Sequence, residues 1–146
     1  TISFIYKPSR QLLVRMTDWF RKKPGSEEVS IMGVTIYHNP RCSKSRQTLQ
    51  LLREKGVEPE IVEYLKTPPS KEEIEMLLSL LGMVPRELLR KKEAPYSKRG
   101  LDNERLSDAA LIAAMHSDPL LIERPIVVKG KKAVLGRPPE NVLGLF

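Results

Sequence analysis

What this chain of 146 residues lacks narrows the field first. It holds a single cysteine, Cys42, which excludes an intramolecular disulfide and with it a disulfide-stapled secreted domain. Position 45 is serine, so there is no C-x-x-C redox pair, and any thiol redox cycle at Cys42 needs a thiol from outside the chain. Two histidines, His38 and His116, in no metal-binding spacing give no metal site. Aromatic residues are few, at 5%, and show no basic-aromatic repeat; the net charge of +7 therefore points to a small anion and not to nucleic acid. No apolar run approaches the ~20 residues of a membrane span.

The remaining composition, 40% hydrophobic and 29% charged, is that of an ordinary globular chain with enough length for one domain. Residues 1–31 read differently from the rest: short, broken apolar stretches alternate with basic residues and end in the linker-like Pro24-Gly-Ser-Glu-Glu28. The apolar stretches fall short of the ~7–15 residues of a signal peptide core. Because Met32 directly precedes the first clean strand, 1–31 is expected to be an N-terminal appendage, non-native or mis-started, and 32–146 the domain. A basic amphipathic segment touching a membrane is the other reading of 1–31.

From Val34 the pattern is orderly. A strand over Val34–His38 gives way at Asn39-Pro-Arg to a helix from Cys42 to Lys55, stopped by Gly56, and a second strand follows over Glu60–Leu65. So short a crossover implies a β-α-β unit with parallel strands. Ser70 and Glu73 fit a capping box that opens a helix ending at Gly82. Helices are expected over Pro85–Lys92 and Ser107–His116, the latter with Met115 and His116 on a core-facing side. Strands Ile126–Lys129 and Lys132–Leu135 flank a Gly130-Lys turn, and a short helix with prolines in its first turn closes the chain. The expected architecture is α/β: a four-stranded mixed sheet with a helical insertion between its β-α-β and β-β-α halves.

Cys42 falls where strand turns into helix. There the unpaired N–H groups and the positive end of the helix dipole favour thiolate over thiol, as does nearby charge on Arg41, Lys44 and Arg46. A free cysteine titrates near ~8.5, and such surroundings lower that value by one to several units. A lone cysteine is more often a small buried hydrophobe, so Cys42 needs partners to count as a nucleophile. Arg124 and Arg137 supply them: they bracket the final hairpin, so both project from one end of the sheet, and Arg90 on the helical block can close over it. Guanidinium forks suit oxyanions, and three around a thiolate would hold a doubly charged tetrahedral anion for attack. The Arg124–Pro125 bond is expected to be cis.

Four stretches carry a resemblance: Ile36-Tyr-His-Asn-Pro-Arg-Cys-Ser-Lys-Ser-Arg46, Tyr64-Leu-Lys-Thr-Pro-Pro69, Glu123-Arg-Pro-Ile-Val-Val128 and Gly136-Arg-Pro-Pro-Glu140. In this order and spacing the chain resembles the glutaredoxin- and glutathione-dependent arsenate reductase family, of thioredoxin-like fold, in its Cys-Ser-Lys-Ser branch. The resemblance spans about Val34 to Phe146. It implies that Cys42 attacks arsenate, that His38 helps keep the thiol ionised, and that Arg90, Arg124 and Arg137 bind the oxyanion, with Asn39, Arg46 and Pro125 in support. It further implies no tightly bound cofactor, glutathione as co-substrate, glutaredoxin as partner and a cytoplasmic location. Two other readings share the fold: a Spx-type regulator that binds RNA polymerase, and a general glutathione-linked thiol reductase. The phosphatase-type arsenate reductases, with C-x5-R, are disfavoured because position 48 is threonine.

Overall fold

A computed structural model describes residues 33–146; the stretch 1–31 lies outside the described residues. Four strands, β1 (Val34–Tyr37), β2 (Glu60–Val62), β3 (Ile126–Lys129) and β4 (Lys132–Leu135), form one sheet in the order β2-β1-β3-β4. β1 and β2 are parallel, with Tyr37 opposite Val62. β1 and β3 are antiparallel, with Tyr37 opposite Ile126, and β3 meets β4 with Ile126 opposite Leu135. This is the mixed α/β sheet expected from the sequence.

Alternation along β3 divides the core in two. Ile126 and Val128 face a cluster built from Ile74, Leu77 and Leu78 of α2 (Lys71–Leu81) together with Leu111 and Met115 of a later helix, Asp108–Ser117. Val127 faces the other way, toward Leu49 and Leu52 of α1 (Ser43–Glu54) and toward Val142 and Leu145 of the C-terminal 3₁₀ helix Pro139–Leu145. Local signals set the boundaries. The Ser70 hydroxyl accepts the Glu73 N–H at 3.1 Å to start α2. Gly82 ends it in the left-handed region, at φ 66°, where a side chain would be strained.

The departures from expectation matter most. The helix expected over Pro85–Lys92 is one turn, α3 (Pro85–Leu88). Leu89 is extended instead and forms an antiparallel bridge with Ile122. The Arg90 N–H donates to Leu121 O at 2.7 Å, and the Glu123 N–H to Leu88 O at 2.9 Å. These long-range bonds override the local helical preference. β2 stops at Val62, three residues early, because the Lys66 and Thr67 N–H groups turn back onto Glu63 O at 2.9 and 3.0 Å. Two short elements, α4 (Ala94–Lys98) and the 3₁₀ turn Pro119–Leu121, were not expected; α5 is Asp108–Ser117. Met115 is buried as expected, but His116 is exposed, its Nδ1 2.8 Å from Pro69 O.

Candidate active site

Strand direction alone gathers the chemistry. β1 and β2 run parallel, β3 runs against them and β4 against β3, so one end of the sheet holds four junctions. There β1 exits to the Cys42 loop, β2 exits to Tyr64, β3 is entered from Arg124 and β4 exits to Arg137. The Leu89–Ile122 bridge places Arg90 beside the segment that leads to Arg124. Cys42, Arg90, Arg124 and Arg137 therefore converge from four separate parts of the chain.

The Cys42 loop is held by its own backbone. Asn39 O accepts the Cys42 N–H at 3.0 Å, Asn39 Oδ1 accepts the Arg41 N–H at 3.0 Å, and Arg46 Nη1 donates to Pro40 O at 2.8 Å. Asn39 and Arg46 each close a hydrogen bond within this loop. Cys42 is the N-cap of α1, in extended conformation at φ −93° and ψ 122°. As a neutral thiol it closes no hydrogen bond to the helix; the ionised sulfur is what its surroundings favour. Burial pushes the thiol up, but the Ser45 N–H, the Arg124 charge and the Lys44 N–H outweigh it, and the net pKa lies below the ordinary thiol value.

His38 meets this turn through Ser45. Its Nδ1 lies 2.6 Å from Ser45 Oγ, which also accepts the Asn39 N–H at 3.0 Å. Burial lowers the pKa of His38, and Arg53 and Arg46 add to this while Glu63 opposes it, so the neutral ring is favoured. With one lone pair taken by the Asn39 N–H, Oγ still has a proton and a second lone pair, so it bonds Nδ1 in either tautomer of the neutral ring. The ring then orients the serine whose N–H faces the sulfur, in place of bringing a positive charge to it.

The arginines differ in exposure. The side chains of Arg90 and Arg124 are only 14% and 15% exposed, and that of Arg137 is 38%. Arg90 pairs with Glu93, while Arg124 and Arg137 approach Glu123 Oε2 at 3.9 and 4.0 Å. The Arg137 Nη1 reaches Arg124 O at 3.4 Å. Arg124 Nε is buried and has no hydrogen-bond partner among the described residues, while the same side chain helps hold the Cys42 thiolate. Burial lowers the pKa of Arg90, and so does the neighbouring Arg124, with Glu93 opposing. Two guanidiniums thus share one poorly hydrated place, which a divalent anion would relieve.

Gly136 makes the last close approach. Its N–H donates to Pro125 O at 2.9 Å. A Cβ there would stand 2.8 Å from Pro125 Cγ and 2.9 Å from Thr48 Cγ2, and closer still to Thr48 Oγ1. The absent side chain lets β4 press against α1 and the Arg124–Pro125 bond, which is cis as expected; Arg137–Pro138 is cis as well.

Three residues of the site escaped sequence reasoning: Ser45, Glu123 and Tyr64. Ser45 carried a signal, since it sits three residues past a helix cap. Tyr64 carried only its place at the head of the Tyr64–Pro69 stretch, because its setting depends on the early end of β2. A separate open groove lined by His38, Pro40, Arg46, Leu49, Gln50, Arg53 and Glu54 includes none of Arg90, Arg124 and Arg137.

A thiolate-stabilising helix cap at one end of a four-stranded α/β sheet, faced by arginines, defines a thioredoxin-like thiol site adapted to an anion. The ArsC family model matches residues 37–145, and the chain belongs to the ArsC family. It is 58% identical to the YfgD protein of Escherichia coli K12 over 111 residues, 75% of this chain and 93% of that protein. It is 46% identical to an arsenate reductase of Rhizobium meliloti over 115 residues, 79% of this chain and 82% of the relative. Among solved structures, an arsenate reductase from Vibrio cholerae superposes with a TM-score of 0.77 at 51% identity, covering 79% of this chain and 98% of that one.

Proposed function

We propose that this protein reduces arsenate to arsenite. The observation that carries the reading is the meeting of Cys42, at a cap that favours its thiolate, with the buried guanidinium of Arg124; the arsenate reductases among its relatives supply the substrate. Arg90, Arg124 and Arg137 hold the oxyanion. The Cys42 sulfur attacks arsenic, a sulfur–arsenic bond forms, and one arsenate oxygen takes up protons and leaves as water. Glutathione supplies the second thiol. Arsenic gains two electrons as the two sulfurs become joined in a disulfide, which glutaredoxin reduces while arsenite departs. Ser45 serves as the orienting residue for the thiolate and His38 orients Ser45. A reaction that draws on reducing thiols suits the cytoplasm.

The test is arsenate reduction by purified protein with glutathione and glutaredoxin, with Cys42→Ser beside it. Turnover that vanishes in the variant is expected. Absence of turnover in folded wild type, or its retention in Cys42→Ser, would overturn the reading. Thioredoxin in place of glutaredoxin separates the electron donor from the substrate: equal rates with both would remove the specific partner.

A further inference from the structure

Tyr64 lies in the turn after β2, at the sheet end where Cys42 and the arginines converge. Its side chain is 1% exposed, and its hydroxyl has no hydrogen-bond partner among the described residues. A buried, unbonded hydroxyl is unfavourable, and native proteins rarely leave one without a purpose. The charged groups that surround it are those of the site: Arg124 and Arg90 on one side of the balance, Cys42 and Glu123 on the other. Burial comes first among the influences on the phenol and pushes its pKa up to about 12. The group therefore keeps its proton throughout the working range and is a donor.

We propose that Tyr64 is a substrate-binding residue whose hydroxyl donates a hydrogen bond to an oxygen of the tetrahedral oxyanion held by Arg90 and Arg124. The proposal rests on the oxyanion reading of this site. A second donor points the same way: Arg124 Nε is buried and also has no hydrogen-bond partner among the described residues. These two donors, one neutral and one cationic, are set among the same charged groups around Cys42, and an acceptor with several oxygens would satisfy both. The neutral donor adds what a fourth arginine could not. It bonds one oxygen without adding positive charge beside Arg90 and Arg124, which already disfavour each other.

The substitution Tyr64→Phe removes the hydroxyl alone. Because no described residue bonds it, the variant is expected to melt no lower than wild type. Protection of Cys42 from iodoacetamide by arsenate then reads binding without turnover. A hydrogen bond to a charged group corresponds to a loss of about 10–100-fold, so half-protection in Tyr64→Phe should need roughly that much more arsenate, with KM rising more than kcat falls. Equal protection of the variant and wild type would overturn the proposal, as would a lowered melting temperature, which would mean that the hydroxyl has a structural partner. A wild type that arsenate fails to protect would remove the anion site and Tyr64's role together. Protection that weakens in Tyr64→Phe, in a wild type that binds arsenate but does not reduce it, would support Tyr64 and sink the reductase reading alone.

Discussion

Adding one methyl group at Gly136 is expected to disturb both stability and anion binding. The φ of Gly136 lies outside the left-handed region, so the backbone accepts alanine and the cost is steric. The new Cβ would stand 2.8 Å from Pro125 Cγ and 2.9 Å from Thr48 Cγ2, well inside the ~3.5–4.0 Å at which carbons rest. Thr48 is fully buried and its Oγ1 donates to Lys44 O at 2.8 Å, with Gly136 O at 3.3 Å. It cannot rotate away without losing those partners. Overpacking of this kind costs about 1–3 kcal/mol, and the upper half of that range is expected for Gly136→Ala. Relief by movement of β4 would carry Arg137 away from Arg124, so KM for arsenate should rise as well. Urea denaturation of Gly136→Ala, Thr48→Ala and the double variant checks the argument, because Thr48→Ala removes both threonine atoms that clash. The double variant should be more stable than the sum of the single penalties implies, by at least about 1 kcal/mol. Penalties that simply add would refute the close-packing account.

Arg124→Ala should lower kcat/KM for arsenate by about 100-fold or more while leaving the urea midpoint little changed; unaltered kinetic constants would end its role. Ser45→Ala strands two buried partners, His38 Nδ1 and the Asn39 N–H, and should destabilise the fold by about 1–3 kcal/mol. It should also shift the midpoint of Cys42 alkylation with pH, and an unmoved midpoint would separate Ser45 from the thiol. The pKa of His38 in the native state lies below the ordinary 6.5, so on acidification the unfolded chain takes up this proton first. The stability it contributes is full above the unfolded value and is lost as pH falls below it. Urea midpoints measured from pH 8 to pH 5 should fall less steeply in His38→Gln than in wild type, and parallel slopes would contradict this.

The β-α-β unit, the hairpin and the Ser70 and Gly82 boundaries were legible because each rests on local periodicity or a local capping group. Arg124 and Arg137 could be placed together from the sequence, since a two-residue turn fixes which strand ends meet. Arg90 was found as a residue but not in its setting. A helix through Lys92 would have satisfied its propensity, and only the pairing of Leu89 with Ile122, 33 positions away, extends the backbone there. Tyr64 was hidden by the same kind of cause. Read as part of a strand ending at Leu65, it is one more alternating side chain; with β2 ending at Val62 it turns inward to the site. His38 was singled out by position, yet its contact with Ser45 follows from how deeply the loop folds beneath it, which no spacing reveals.

The serine beneath the nucleophile also sets how the protein could change. Position 45 is where a second cysteine would make the molecule self-sufficient, able to close its own disulfide and to work with any general reductant. That position is sealed from solvent, and its oxygen serves two neighbours at once; sulfur, larger and a weaker partner, would serve neither well. Independence from external thiols could therefore be gained only by rebuilding the loop that sharpens the nucleophile. On the proposed mechanism, a lineage built on this loop is tied to the reducing reserves of its cell, and its rate of arsenate reduction rises and falls with them.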